Sequence, residues 1–421
     1  MLSKKMKGGG GLGWLRGAAV LTAGLVTLSA CGSGFSSGSQ SSSSGLSSSD
    51  KSLTVLIGSS GDAETKAVTD AVSAWSSKSG VSATVTAASN LSQQLSQGFA
   101  AKKPADVFYL APDSLAGYAK NGSLLAYGDQ LANKDDFYPA LVKQFSQDGK
   151  FYCAPKDFST LQLVINKRMW SEAGLTDADI PTTWDQLATV AKKLTGNGHV
   201  GLSTSSEYAR LGAFMVQAGG NLYDDDGKPT ANSDANIKAL QYVKSLLQAG
   251  SYKFAKDLGA GWGGEAFGKG LAAMTIEGNW ITGGLSKDYP KVQYKVAELP
   301  AGPAGKGTLQ FSNCWGIAAD SPNQKAALDL VQQLTASSTQ LAFSKAFGPM
   351  PSVKSAASDW SSQNPTLAPF LAGADYAKSV PVAQGASDVI SDLNSKLESL
   401  ATSDPKTILD AAQKNLLALG S

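Results

Sequence analysis

The segment from Leu53-Thr-Val-Leu-Ile57 to Asp106-Val-Phe-Tyr109 decides the fold, because both ends are short apolar runs typical of buried strands. Between them, residues 63–78 place apolar side chains at helical spacing, residues 81–86 predict another strand and residues 93–101 another helix. This strand–helix–strand order predicts an α/β lobe with a largely parallel sheet.

A second α/β stretch follows the first. Residues 161–165 predict a strand, and Pro181-Thr-Thr-Trp-Asp185 opens a helix with a capping threonine and an early acid. The chain from residue 325 onward is mostly helical in pattern, with a break at Gly348-Pro-Met-Pro351. About 370 residues follow position 50, too many for one core and suited to two lobes of ordinary domain size.

The N-terminus has the features of an export signal. Four basic residues within the first sixteen precede an apolar run over residues 18–28 and then Leu28-Ser-Ala-Cys31. The last four residues resemble the lipobox of bacterial lipoproteins, in which the cysteine is acylated and becomes the new N-terminus. The apolar run is shorter than the roughly 20 residues that span a membrane. We predict a signal peptide over residues 1–30 and a lipid anchor at Cys31, on the outer face of a Gram-positive cell membrane.

Residues 31–50 are nearly all Ser and Gly, which predicts a flexible tether between the anchor and the folded body. The whole chain has 36 Lys and Arg against 34 Asp and Glu. Removal of the signal peptide removes four of the basic residues and no acidic one, so the mature chain is close to neutral. No run of basic residues is present, and we expect no nucleic-acid partner.

The residues argue against catalysis. His199 is the single histidine, and Ser-His-Asp, Cys-His and histidine metal sites would all depend on it. Residues 259–264 fit GxGxxG, but without a clear preceding strand or a ribose-binding acid. We expect no cofactor and no metal. Glycoside hydrolysis by a pair of carboxylates is an alternative that these residues leave open.

Candidate ligand contacts come from loops and tryptophans. Ligands of open α/β sheets bind outside the carboxyl ends of the strands. The loops after the first three strands carry short polar groups suited to hydroxyl ligands, namely Ser59, Ser60, Asp62, Ser89, Asn90 and Asp113. Trp262, Trp280 and Trp315 each adjoin Gly or Asn, and indole rings stack on the apolar faces of sugars. Glu277 and Asn279 would supply polar partners, although packing in the core explains each tryptophan equally well.

Glu265-Ala-Phe-Gly-Lys-Gly-Leu-Ala-Ala-Met-Thr-Ile-Glu-Gly-Asn-Trp280 resembles the signature of the extracellular solute-binding proteins that serve carbohydrate ABC importers. Other landmarks follow in the order of that family and cover almost the whole mature chain: Pro104-Ala-Asp-Val-Phe-Tyr109, Ala154-Pro155, Pro181-Thr-Thr-Trp184, Glu298-Leu-Pro-Ala-Gly-Pro303 and Gly348-Pro-Met-Pro351. Members that bind maltose and oligosaccharides are the most similar.

The resemblance implies a two-lobed α/β fold of the periplasmic-binding-protein type (type II), with the ligand in a cleft between lobes joined by crossover strands. It implies an N-lobe of residues 51–153 plus 314–350 and a C-lobe of residues 154–313 plus 351–421. It also implies a monomer without enzymatic activity, whose partners are a sugar and the permease and ATPase subunits of an ABC importer. Binding of glycerol phosphate or a peptide, and secreted glycosidase activity, stay as alternatives.

The resemblance also implies individual ligand contacts, which are Tyr109, Asp113, Asp157, Tyr208, Trp262, Glu277 and Trp280. The family often has Arg or Asn where this chain has Val353, so no contact is expected there. Cys153 and Cys314 form an even pair in an exported protein, which by itself is compatible with a disulfide or with two free thiols. The resemblance implies the disulfide, because it places the two cysteines on neighbouring crossover strands.

Replacement of the predicted lipidation site tests the anchor. In Cys31→Ser, the protein should leave the membrane fraction or keep its signal peptide, because the acyl chains are the anchor that the sequence predicts. Fractionation and the mass of the mature chain measure this. Normal processing with unchanged membrane retention would contradict the lipobox.

Overall fold

The computed structural model describes residues 45–49, 52–224, 226–380 and 383–419. The predicted signal peptide, Cys31 and most of the predicted tether lie outside these residues. The described residues from Leu46 onward form one compact unit. Within the described ranges, no helix combines the length and apolar character needed to cross a membrane.

The strands are, in chain order, β1 (Ser52–Ile57), β2 (Ser82–Ala87), β3 (Val107–Leu110), β4 (Ser146–Gln147), β5 (Lys150–Phe151), β6 (Ala154–Pro155), β7 (Ser159–Thr160), β8 (Gln162–Asn166), β9 (Val200–Thr204), β10 (Tyr252–Phe254), β11 (Ala272–Glu277), β12 (Tyr294–Ala297), β13 (Thr308–Phe311), β14 (Cys314–Ile317) and β15 (Ala377–Ser379).

The helices are α1 (Asp62–Ser79), α2 (Leu91–Ala100), α3 (Pro112–Lys120), α4 (Pro139–Gln144), α5 (Lys167–Glu172), α6 (Trp184–Lys193), α7 (Tyr208–Gln217), α8 (Asp234–Gln248), α9 (Gly263–Gly268), α10 (Ile281–Asp288), α11 (Gln324–Leu334), α12 (Ser337–Phe347), α13 (Ala357–Gln363), α14 (Ala368–Ala372), α15 (Ala386–Leu397) and α16 (Pro405–Leu419).

The first lobe contains a five-stranded sheet in the order β2-β1-β3-β14-β6. Strand β1 pairs in parallel with β2 and β3, as the strand–helix–strand pattern predicts. Strand β14 comes from far along the chain and pairs antiparallel with both β3 and β6. Helix α1 buries Val68, Val72 and Trp75 against the sheet, and it ends at Gly80, whose left-handed φ of 74° suits glycine.

The second lobe contains a sheet in the order β10-β9-β11-β8-β12. Strands β9, β10 and β11 are parallel, whereas β8 runs antiparallel to β11 and β12. The helices at the end of the chain belong to this core, since Leu393 and Leu409 pack in one cluster with Leu163 and Met274. The two lobes confirm the predicted α/β class.

Three segments pass between the lobes and are bonded to one another. The amide of Lys156 donates to the carbonyl of Asn313 at 2.9 Å, and the amide of Phe158 donates to the carbonyl of Met350 at 3.1 Å. The hydroxyl of Ser352 donates to the carbonyl of Pro155 at 2.6 Å. These segments coincide with the crossovers that the resemblance implies.

The lobe boundaries stay a prediction, but two details differ from it. Strand β6 pairs within the first-lobe sheet, and Val353 packs in the first-lobe core.

Ser47, within the predicted tether, is hydrogen-bonded to the folded body. Its hydroxyl donates to the carbonyl of Ser321 at 2.7 Å, and its carbonyl accepts the amide of Lys325 at 3.0 Å. The second bond satisfies one of the free N–H groups at the start of α11.

Cys153 and Cys314, which are 161 positions apart in sequence, are joined by a disulfide with their Cα atoms 5.5 Å apart. Both side chains are fully buried. The bond links the segment that leads into β6 with the first residue of β14. It therefore ties the outgoing crossover to the returning one.

The disulfide is testable in solution. The unfolded, unreduced mature protein should contain no free thiol at these positions, and the double variant Cys153→Ala/Cys314→Ala should lose about 4 kcal/mol of unfolding free energy, because the bond closes a long loop. Thiol titration and denaturant unfolding measure the two results. Two free thiols in the wild-type chain would contradict the bond.

Candidate functional site

A cleft of about 990 Å³ lies where both lobes and the crossover segments meet. Its lining from the first lobe includes Gly58, Ser60, Glu64, Pro112 and Phe347. The crossovers contribute Lys156, Asp157, Ser312, Asn313 and Gly348, and the second lobe contributes Asn279, Trp280, Thr282, Ser286 and Tyr294. The lining therefore combines polar side chains with apolar and aromatic surface.

Trp280 is the large apolar side chain that the second lobe leaves open to this cleft, with 38% of its surface exposed. Its ring meets Phe311 edge to face, with centroids 5.4 Å apart. The ring also covers Gly278 so closely that a Cβ atom there would lie 2.2 Å from it. Glycine at this position therefore lets the indole approach the backbone this closely.

A buried ion pair supports the indole. Glu277 is fully buried, and its Oε2 accepts the indole N–H of Trp280 at 3.0 Å. The same oxygen accepts the Nε of Arg210 at 3.0 Å and lies 2.7 Å from its Nη2. The guanidinium carbon lies 5.2 Å from the Trp280 ring centroid, within range of a cation–π interaction. Burial raises the pKa of Glu277, although Arg210 opposes this rise.

A second buried charge cluster lies on the opposite wall. Oε1 of Glu64 accepts the Tyr109 hydroxyl at 3.0 Å and Nζ of Lys156 at 3.1 Å, while Oε2 accepts the amide and hydroxyl of Ser60 at 2.8 and 2.7 Å. Lys156 also pairs with Asp157. Burial would raise the pKa of Glu64, but Lys156 and the Ser60 hydrogen bonds together lower it. Burial, followed by the charge of Glu64, raises the pKa of Tyr109.

The structure brings five of the predicted contacts to the cleft region. Ser60, Asp157 and Trp280 line it. Tyr109 and Glu277 lie directly behind the lining, where they hold Glu64 and Trp280. Their roles as ligand contacts stay a prediction.

The other predicted contacts lie outside the cleft lining. Asn90 caps α2 by accepting the amide of Gln93 at 3.0 Å, and Asp62 and Asp113 are exposed in the first turns of α1 and α3. The buried Tyr208 donates its hydroxyl to Asn221 at 2.7 Å. Trp262 packs over Gly264 and beside Gly284. Each of these side chains has a structural partner or faces solvent.

Sequence reasoning did not select Glu64, Lys156 or Arg210. Lys156 directly precedes the selected Asp157, and Glu64 lies two positions after the selected Asp62, so position offered a weak signal for both. Arg210 offered none, because it meets Glu277 across 67 positions of sequence, in a contact that only the folded chain creates. Among the described residues, no group of three His, Cys, Asp or Glu side chains is placed to hold a metal ion.

Comparison with known proteins agrees with this architecture. The chain is 24% identical over 344 residues to a putative binding protein of Brucella abortus, covering 77% of this chain and 82% of that protein. It is 25% identical over 273 residues to a diacetylchitobiose-binding protein of Streptomyces coelicolor, covering 62% and 63%. The structure of the cyclic α-maltosyl-1,6-maltose-binding protein of Arthrobacter globiformis aligns with a TM-score of 0.78 and 22% identity, over 87% of this chain and 98% of that one.

The sequence profile of one family matches residues 70–369, which is most of the folded body. The match includes the first-lobe segment that follows α1, all three crossovers and the segment around Trp280. It confirms the resemblance that the signature residues indicated. The chain belongs to the family of bacterial extracellular solute-binding proteins.

Proposed function

We propose that this chain is the substrate-binding lipoprotein of an ABC importer and that its cleft captures an oligosaccharide, such as an α-glucoside. The observation that carries the proposal is Trp280, an indole held open to the cleft by Glu277 and Arg210. An aromatic face of this kind stacks on the C–H face of a sugar ring.

The surroundings of Trp280 suit a polyhydroxyl ligand. Asn279, Ser286 and Asp157 line the same cleft and offer donors and acceptors for hydroxyl groups. A volume of about 990 Å³ is at the upper end of the usual range for small-ligand sites, which favours an oligosaccharide over a single ring. The names of the relatives, which refer to diacetylchitobiose and a cyclic maltosyl-maltose, support the same class.

Capture proceeds by closure of the lobes. Trp280 belongs to the second lobe, Ser60 to the first, and Asp157 to a crossover segment, so a ligand contacts all three together when the lobes approach. The loaded protein then docks on the membrane permease, whose ATPase subunits drive uptake. Cys31 holds the protein to the membrane through its lipid.

We propose no catalytic role. A glycosidase needs two carboxylates flanking the scissile bond, about 5–9.5 Å apart. Both oxygens of Glu64 already accept two hydrogen bonds each, and Asp157 is paired with Lys156. Incubation with oligosaccharides followed by chromatography tests this, because shorter products would contradict a pure binding role.

A thermal-shift panel of glucose, maltotetraose, diacetylchitobiose and arabinooligosaccharides identifies the ligand class. A sugar present at about 100 times its dissociation constant stabilises the protein by about 2.7 kcal/mol, which raises the melting temperature measurably. Absence of a shift with every sugar would contradict the proposed function.

The variant Trp280→Ala should bind the best sugar of the panel at least tenfold more weakly, a loss of about 1.4 kcal/mol, because the stacking face is removed. Its melting temperature without sugar should stay near that of the wild type, since the ring is partly exposed. Titration calorimetry measures the affinity. Leu417→Ala, which trims an exposed apolar side chain on α16, is the control. Unchanged affinity in Trp280→Ala would refute the stacking role.

The variant Arg210→Met should lose about 3–5 kcal/mol of unfolding free energy at neutral pH, because it leaves the charge of Glu277 buried without a cationic partner. Burial already raises the pKa of Glu277 in the folded state above its unfolded value. Protonation therefore favours folding, and the loss should be smaller at pH 5 than at pH 8. Denaturant unfolding at both pH values measures this.

Arg168→Met is the matched control for this experiment. It breaks an exposed pair with Glu172 on α5, and it should change the unfolding free energy by less than about 1 kcal/mol at either pH. An equal loss of unfolding free energy in both arginine variants would contradict the prediction that the buried Arg210–Glu277 pair stabilises the fold more than an exposed ion pair does.

A further inference from the structure

The charged side chains Glu64, Lys156 and Asp157, which we term the Lys156 cluster, all line the cleft, yet stacking on Trp280 does not explain them. Their side chains keep only 4%, 10% and 18% of their surface exposed. Burial of three ionisable groups disfavours folding unless their geometry satisfies them. The Lys156 cluster is therefore an ordered part of the cleft wall, held by its own hydrogen bonds and ion pairs.

The ammonium of Lys156 is held from several directions. It lies 3.1 Å from Oε1 of Glu64, pairs with Asp157 and sits 4.6 Å from the ring centroid of Tyr109. Its own backbone is fixed, because the Lys156 amide donates to the carbonyl of Asn313 across the neighbouring crossover. The ammonium of Lys156 is thus held by groups of the protein itself, and a ligand would have to compete with Glu64 and Asp157 for it.

Glu64 is saturated as a hydrogen-bond acceptor. Its two oxygens accept four hydrogen bonds, two from Ser60 and one each from Tyr109 and Lys156. It therefore contributes a fixed negative charge rather than a free acceptor. Asp157, the most exposed member of the cluster, is the member that offers acceptor capacity toward the cleft.

The charge of the cluster is negative, because two carboxylates surround one ammonium. Among the described residues that line the cleft, the other basic side chain is Lys345, which is exposed near the end of α12. Arg210 does not line the cleft, and its donors bind Glu277 and the carbonyl of Ala209. Apart from Lys345, the described residues of the lining thus offer a phosphate group no cationic side chain that is free of a carboxylate partner.

We infer that the Lys156 cluster makes the cleft selective for uncharged saccharides and excludes ligands that carry a phosphate group. Glu64 and Asp157 are the specificity-determining residues: both repel an anion in a partly desolvated site, and Asp157 accepts hydrogen bonds from sugar hydroxyls. The inference rests on the proposed function, since it assigns the ligand class of the same cleft.

The double variant Glu64→Gln/Asp157→Asn tests the inference on the mature protein. It preserves side-chain shape and removes both carboxylate partners of Lys156, so an anionic ligand can take their place beside the ammonium. Wild-type protein should show no thermal shift with millimolar glycerol 3-phosphate, whereas the double variant should show one that weakens as salt is added. By calorimetry, its affinity for glycerol 3-phosphate should exceed that of the wild type by at least tenfold.

Two controls separate selectivity from other effects. Glu172→Gln removes an exposed carboxylate on α5 and should leave glycerol 3-phosphate binding absent. If the double variant does not fold, Asp157→Asn alone, at the most exposed position of the cluster, should give a smaller gain of the same kind. Far-ultraviolet circular dichroism establishes which variant to use.

The outcomes are distinct. Tight binding of glycerol 3-phosphate by the wild type, or a folded variant without any gain, would overturn the inference. Titration with maltotetraose and the other panel sugars is read separately, and failure of every sugar would contradict the proposed function itself. A gain of phosphate binding confined to the variants that lose Glu64 or Asp157 supports the selectivity.

Discussion

The return of the chain through Cys314–Ile317 into the first-lobe sheet is the constraint on which the rest of the structure depends. This strand pairs antiparallel with β3 on one side and β6 on the other, so it places two crossovers side by side. The disulfide between Cys153 and Cys314 and the hydroxyl of Tyr127, which bonds to Trp315 and Ala154, reinforce that junction. Lys156 and Asp157 follow directly and are thereby delivered to the cleft.

Both walls of the cleft contain buried charged side chains that are paired with charges of opposite sign. A charged side chain that is buried beside a binding site disfavours folding unless partners compensate its lost hydration. On the second lobe, Arg210 neutralises Glu277, and the pair orients the Trp280 indole. On the first, Glu64 and Asp157 surround Lys156. The Arg210–Glu277 pair thus orients the indole, whereas the Lys156 cluster sets the charge of the other wall. We propose that the two together suit a neutral ligand with an apolar face.

Much of the fold could be predicted from local pattern. The strands β1 and β3 and the helix α1 appear where apolar spacing placed them, because burial of one face follows directly from the periodicity of side chains. The antiparallel insertion of β14 could not be predicted from the residues alone, since Cys314-Trp-Gly-Ile317 has no local feature that selects β3 and β6 as partners. Only the family resemblance indicated where the chain returns.

The candidate site, like the fold, has one part that local sequence predicts and another that depends on tertiary packing. The sequence by itself determined the two-lobed α/β class, through the strand–helix order and the signature that ends at Trp280, since each of these depends on residues close together in the chain. The tertiary structure decided which polar residues reach the cleft. Asn90 and Tyr208 are committed to capping and to a buried hydrogen bond, whereas Glu64 and Lys156 meet across 92 positions of sequence. Long-range contacts of this kind depend on how the sheets and crossovers pack, which no local pattern encodes.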